Sequence, residues 1–338
     1  MLLTHTNSVY SEEVTLLDHV TYPQYAHQVN NGGGPVAKQG IKMVCEELVN
    51  YVLAGRHGAA EGTFEFLREL TDQPFCKVGL ILAAGGTRWT GHLTTVKWSD
   101  QYPTYRIPVM SENQVFAGYV ANKIGDFEYI STDGTSCISG HSAWYTARNM
   151  MIAGALDSVV VISVDDGTSE DYLSIFGEFG LSKLVHEEGN QDIVKFRLGQ
   201  GCNISVFETG YSAWSNEHKP IAKIIDMYVA AESHTTPLGI SPSGQGYRKV
   251  IDRVYTDKID FVKTHSTFSA DNKVEEEVVK EKFGDIRTVN YKLRIGHTLG
   301  SSTAVETALA VQEEKGTFLS LGAGMGNVFS SVVVEIVK

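Results

Sequence analysis

The chain has 338 residues, 42% hydrophobic and 20% charged, with a formal net charge of −12. That is ordinary globular composition, with length enough for one large domain or two closely packed halves. The acidic balance, with a pI of about 5.4, excludes a general nucleic-acid binder, which needs concentrated Lys and Arg.

Cys45, Cys76, Cys137 and Cys202 stand far apart, with no CxxC pair and no Cys/His cluster. Neither a disulfide framework nor a zinc site is expected, and no other metal or cofactor is needed. The opening MLLTHTNSVYSEEV is too polar for a signal peptide. No run approaches the roughly 18 apolar residues of a membrane span. A cytoplasmic protein with no membrane or nucleic-acid partner is the expectation.

After a glycine-rich loop at 31–34, Ile41, Val44, Leu48 and Val52 recur at helical spacing and predict a helix over 36–53. VGLILAA predicts a strand at 78–84, and a helix is expected over 113–124 with Val115, Tyr119 and Val120 inward. A strand at 129–131 then leads into a turn carrying Cys137 and a helix of small residues over 139–153. Gly154 is placed as that helix's C-terminal cap, and SVVVISV at 158–164 is a buried strand.

The same order returns later. His297 is followed by a helix over 300–314, Gly316 and the apolar strand FLSLGAG. Ala143-x-x-Thr146-Ala147 recurs as Ala304-x-x-Thr307-Ala308, 161 positions on. Each helix is followed by a Gly-x-Gly turn and a strand ending in Glu, at 199–208 and 322–335. A duplicated unit explains order and spacing together. The expected fold is α/β, in halves 1–211 and 212–338, each a sheet covered by helices.

Cys137 lies in STDGTSCISGHSA, where small residues suit a tight turn and then a closely packed helix. A thiol at a helix N-terminus faces N–H groups that lower its pKa, which makes a credible nucleophile. The alternative is a buried cysteine acting as a small hydrophobe. His265 follows an apolar strand expected at 259–262, and His297 opens the second small-residue helix. Either histidine alone is more often structural than catalytic. Lys292 alone reads as a solvated or snorkelling side chain.

Together these segments resemble the β-ketoacyl synthases, the elongating condensing enzymes of fatty-acid and polyketide synthesis. Their Thr/Ser-Ala-Cys-x-Ser-Gly elbow is similar to Thr135-Ser136-Cys137-Ile138-Ser139-Gly140. Their Thr-His-Gly-Thr loop is similar to Thr264-His265-Ser266-Thr267, with Asp271-Asn272-Lys273-Val274-Glu275 after it. Their Lys-x4-Gly-His-x-Leu-Gly segment is similar to Lys292, Gly296-His297 and Leu299-Gly300, followed by Val305-Glu306. The resemblance runs from about Ala117 to the end.

It implies a thiolase-like five-layered α-β-α-β-α fold from two duplicated halves, and a two-stage reaction. An acyl group moves to Cys137; a malonyl-type thioester then loses CO₂, and its carbanion attacks the acyl-enzyme. His265 and His297 would be neutral donors to the thioester oxygen that gains charge. The N–H groups of Cys137 and Met325 would hold the oxyanion at the cysteine. Lys292 would support the field and order around His265 and Glu275, and Glu306 would support the His297 helix. The implied partners are acyl carrier protein or coenzyme A thioesters, in a homodimer paired through a strand near the nucleophile.

The chain departs from the family pattern in places. Ser266 and Phe268 stand where the family carries glycines, Thr303 replaces another, and Gln200 replaces a customary Glu. Phe268 adds bulk beside the loop that admits the phosphopantetheine arm. Two related readings stand beside the condensing one. The first is acyl transfer without decarboxylation, as in a thiolase, whose second reactive cysteine is missing from residues 203–338. The second is a non-catalytic, chain-length-setting partner subunit; such subunits tend to lose the nucleophile, which this chain keeps. Arg148, Lys183, Lys195 and Arg197 are candidates by sequence position alone for the basic patch an acidic carrier protein needs, and each alone reads as solvated surface charge.

Overall fold

The computed structural model describes residues 1–10, 15–16, 69–73, 76–85, 113–166, 197–215, 217–235, 240–254, 258–267 and 272–337. The helix expected over 36–53, and Phe268, Lys183 and Lys195, lie outside them.

Among the described residues the main sheet has ten strands. They are β1 (Leu2–Tyr10), β2 (Val78–Ala83), β3 (Tyr129–Asp133), β4 (Ser158–Asp166), β5 (Gln200–Glu208), β6 (Ala222–Ala231), β7 (Phe261–Lys263), β8 (Arg287–Val289), β9 (Thr317–Gly324) and β10 (Val328–Ile336). Hydrogen bonding orders them β8-β7-β9-β10-β6-β1-β5-β4-β2-β3. One five-strand pattern is used twice. In the first half β2 is parallel to β3 and β4, and β5 is antiparallel to β4 and β1. In the second, β7 is parallel to β8 and β9, and β10 is antiparallel to β9 and β6. The halves join where Leu2 and Leu3 of β1 face Lys223 and Ala222 of β6.

Among the described residues five longer helices pack on these strands: α1 (Asn113–Ile124), α2 (Ser139–Ile152), α3 (Gln245–Ile251), α4 (Asn272–Phe283) and α5 (Ser302–Glu313). The two small-residue helices, α2 and α5, lie between the halves. One apolar cluster joins Trp144 and Ala147 of α2 and Val305 and Leu309 of α5 to Ile81, Val161 and Phe207 on one side and Phe261, Phe318 and Val332 on the other. Small residues are what let two sheets close on these helices; α5 is buried from Ser302 to Val311, as a central helix must be. Outside the first half, α1 packs on Leu80, Leu82, Ile162 and Ile204. Outside the second, α3 and α4 pack on Val262, Leu319, Leu321 and Val333. The layers are therefore α, β, α, β, α, the arrangement the sequence resemblance implies.

The helix at Asn113–Ile124 falls on the expected residues, and the strand expected at 158–164 continues to Asp166. Gly154 caps α2 with φ at 70°, a conformation that costs glycine little. The strand before His265 is displaced: it is Phe261–Lys263, so Ile259 precedes it and a buried lysine lies within it. The division at 211/212 falls inside a short helix, Gly210–Ser215, between β5 and β6. No helix among the described residues is long and apolar enough to cross a membrane.

Candidate active site

Each half presents the same backbone device at the start of its central helix. A 3₁₀ turn, Ser136–Ile138, precedes α2, and another, Leu299–Ser301, precedes α5. Each opens on a residue with left-handed φ, 52° at Ser136 and 49° at Leu299. Such a conformation costs a non-glycine residue roughly 1–3 kcal/mol, so the surroundings must hold it. At the first turn Asp133 accepts hydrogen bonds from Thr135 Oγ1 (2.6 Å) and Ser142 Oγ (2.7 Å), and Ser139 Oγ donates to the Ser136 carbonyl (2.6 Å). Asp165, buried at the end of β4, accepts the N–H groups of Gly85 (2.8 Å) and Gly300 (2.9 Å) and so ties in the second turn.

Thr303 explains itself across this junction. A Cβ on Gly140 would lie 2.7 Å from the Ala304 Cβ and 3.1 Å from Thr303 Oγ1. Thr303 instead accepts the His141 N–H at 3.1 Å. The bulk lost on α2 is supplied from α5.

Cys137 is buried in the first turn, with Ser136 Oγ 3.7 Å from its sulfur and the Met325 N–H directed at it. Met325 opens the turn between β9 and β10. Burial pushes the thiol up from its ordinary pKa; the Ser136 hydroxyl, the Lys292 charge and the Met325 N–H pull it back only in part, and Asp165 raises it further. Burial thus works against the lowering expected from the helix terminus.

His265 follows β7. Its N–H and that of Ser266 donate to the two oxygens of Glu275, at 2.6 and 2.7 Å. Glu275 sits in the first turn of α4, where a carboxylate also faces the positive end of the helix dipole, and it ties this loop to the helix. Burial raises its pKa against those two N–H groups. The His265 ring meets the His297 ring edge to face, centroids 5.4 Å apart. The buried His265 Nδ1 has no hydrogen-bond partner among the described residues. Burial first, then the Lys292 charge, holds His265 well below the usual histidine range and pushes His297 down to about 3. Both rings are neutral at physiological pH.

Beneath the rings lies a buried charge cluster. Lys292 begins the short helix Lys292–Ile295, and its Nζ donates to Glu306 Oε1 at 2.6 Å. Its exposure is 2%, so the solvated reading of Lys292 is corrected. Lys263 Nζ donates to Glu306 Oε2 at 3.2 Å and to the Leu321 carbonyl at 2.8 Å. Burial alone would raise the Glu306 carboxyl, but the two lysines and Ser302 hold it below its usual range. Ser302 Oγ donates to Glu306, and the same oxygen lies 3.0 Å from His297 Nδ1.

Cys137, Met325, His265, His297, Lys292, Glu275 and Glu306 are thus all linked, each to another by contact or by charge. Three residues of the site escaped the sequence reading. Lys263 is a lone lysine after an apolar run and Ser302 one small residue among several, so neither carries a motif of its own. His141, fully buried, hydrogen-bonds Ser330 Oγ and Thr307 Oγ1, each at 2.9 Å. Of the candidate basic patch, Arg148 pairs with Asp226 at 3.1 Å.

Solved structures share this architecture. A chain from the complex of a type II polyketide synthase acyl-carrier protein with its ketosynthase bound to the hexaketide superposes with a TM-score of 0.74 at 15% identity, over 100% of this chain and 99% of that one. The ishigamide ketosynthase/chain length factor gives 0.67 at 13% identity, over 100% and 99%. A ketosynthase from module 6 of the bacillaene synthase of Bacillus subtilis gives 0.68 at 13%, over 100% and 72%. The chain has the ketosynthase fold. No family model and no curated protein matches the sequence. The likeness is one of backbone, and the chemistry rests on the residues themselves.

Proposed function

We propose that this protein is a condensing enzyme of the β-ketoacyl synthase type. The observation that carries the reading is the pair of neutral imidazoles, His265 and His297, buried edge to face over Lys292, whose charge also acts on Cys137. In the first stage the Cys137 sulfur bonds the acyl carbon, the carbon–sulfur bond to the carrier breaks, and the thiol proton leaves with the carrier thiol. In the second, a malonyl-type thioester loses CO₂ and its electron pair becomes an enolate. A neutral imidazole can donate to that enolate oxygen in a site from which water is largely excluded. The carbanion then attacks the acyl carbonyl, whose oxygen faces the N–H groups of Cys137 and Met325, and the cysteine leaves as thiolate. Lys292 and Glu306 keep the field behind the rings fixed, and Glu275 holds the His265 loop.

The thioesters would arrive on an acyl carrier protein or on coenzyme A. A homodimer would pair through β3, the terminal strand of the sheet order and the one leading to the nucleophile turn. A monomeric mass in solution at micromolar concentration would refute that part. The second reading is the non-catalytic partner subunit, with which burial of the Cys137 thiol is compatible, since burial works against its ionisation. Acyl labelling decides between them. The condensing reading expects an acyl mass increment on Cys137 after incubation with an acyl thioester, CO₂ release from a malonyl thioester, and complete loss of labelling in Cys137→Ala. An unlabelled wild-type Cys137 would leave only the partner subunit.

A further inference from the structure

The two imidazoles do not have the same hydrogen-bonding surroundings. His265 Nδ1 is buried with no partner among the described residues, whereas His297 Nδ1 lies 3.0 Å from Ser302 Oγ. A serine hydroxyl has one proton to give, and Ser302 gives it to Glu306. Glu306 can only accept, because an ionised carboxylate has no proton, and the ammonium groups of Lys292 (2.6 Å) and Lys263 (3.2 Å) favour the ionised form. With its proton committed, the hydroxyl must accept from the histidine. The proton on the His297 ring is therefore on Nδ1, and Nε2 carries a lone pair.

We propose that Ser302 is a positioning residue that, by donating to Glu306, locks His297 in the tautomer protonated at Nδ1, so that His297 presents Nε2 as an acceptor. This departs from the symmetric pair of donors that the sequence resemblance implies. The relay runs Nδ1–H of His297 to Ser302 Oγ and Ser302 O–H to Glu306, and it is buried along its length: Ser302 and Glu306 are at 0% and His297 at 3% exposure. In such surroundings an unmatched hydroxyl or ring N–H costs about 1–3 kcal/mol, so one proton arrangement is held. The group facing His297 Nε2 should be one that bears a proton, such as a thiol, a water or an amide N–H, and not an oxyanion. Its consequence for turnover rests on the condensing reading; the tautomer itself does not.

The test uses full-length protein with ¹⁵N-labelled histidine, the His297 ring signals being assigned by their loss in His297→Gln. At neutral pH the wild type should show a protonated Nδ1 and an unprotonated Nε2 for His297. Ser302→Ala should move that proton to Nε2, and Ser302→Thr, which keeps the hydroxyl, should restore the wild-type pattern. Ser302→Ala should also lower CO₂ release from a malonyl thioester by about 10- to 100-fold through misorientation of the ring, with rescue by Ser302→Thr. A wild-type His297 protonated at Nε2, or a Ser302→Ala ring pattern identical to wild type, overturns the proposal. If wild-type protein neither labels at Cys137 nor releases CO₂, the condensing reading falls, while the ring signals still decide the tautomer.

Discussion

The two halves of the molecule repeat one another in backbone and diverge in chemistry. Each has the same five-strand order with the same parallel and antiparallel pairings, and each sends a central helix out of a 3₁₀ turn opened by a left-handed residue. The first half places a thiol in that turn, among the hydroxyls of Ser136, Ser139 and Thr135. The second supplies both imidazoles and the buried Lys263, Lys292, Glu275 and Glu306. In the proposed reaction a duplicated frame would divide the work: the group that would carry the acyl chain comes from one copy, and the groups that would manage charge come from the other. The closeness of the central helices, with Thr303 filling the space left at Gly140, is what makes the two copies a single site.

The largest effects should separate those two contributions. Cys137→Ala removes the group proposed to hold the acyl chain, and labelling should vanish entirely. His265→Ala should leave Cys137 able to accept an acyl group while depressing CO₂ release and condensation by about 10²–10³-fold, the usual loss for one oxyanion donor. His297→Ala should likewise spare labelling more than condensation. Single-turnover labelling followed beside CO₂ release checks both. If the histidine variants condensed at the wild-type rate, the division of labour between the halves would be wrong.

How much of this could be read beforehand depended on residue type. Cys137, His265 and His297 were singled out together because the segments around them resemble three signatures of one enzyme family; on local pattern alone either histidine reads as structural. The strands β2, β4 and β9 were legible as short apolar runs, since strands covered on both faces admit little else. β1, with LLTHTNSVY, was not: half of its residues are polar, and its place between the halves follows from pairing with distant strands. Lys263 was invisible for a related reason. A lysine normally marks the solvated end of an element, and only Glu306, 43 positions away, makes its burial tolerable. The resemblance placed Lys292 beside His265 and Glu275, whereas its direct partner is Glu306, which no spacing argument could supply.

The charge cluster gives a sharper comparison of stability than of activity. Glu306 is the one carboxylate that both Lys263 and Lys292 touch. Glu306→Gln leaves two buried ammonium groups without their counter-charge and should destabilise the fold by about 3–5 kcal/mol in urea unfolding. Lys263→Met should cost less, because Glu306 keeps Lys292 at 2.6 Å. Equal losses for the two variants would mean that the cluster does not act through its shared carboxylate.

The smallest effect is a slope with pH. His297 titrates at about 3 in the native protein and at about 6.5 in an unfolded chain. Between those values the unfolded state binds a proton that the native state refuses, so stability rises with pH across the window and is lost as pH falls through it. Above about 6.5 the contribution is flat. One such histidine supplies at most about 1.4 kcal/mol per pH unit. His265 and His141, both held well below the usual histidine range, add slopes of the same sign, and Glu306, held low, adds one further down in pH. Glu275 opposes them, because burial raises its carboxyl and the native state then holds a proton the unfolded state has lost. His297→Gln isolates one contribution from that sum. Urea unfolding across the acid range should show the variant losing stability less steeply than wild type, by up to about 1.4 kcal/mol per pH unit below pH 6.5. Parallel curves for the two proteins would mean that burial has not displaced the His297 equilibrium, and the neutral pair on which the second half's role depends would lose its physical basis.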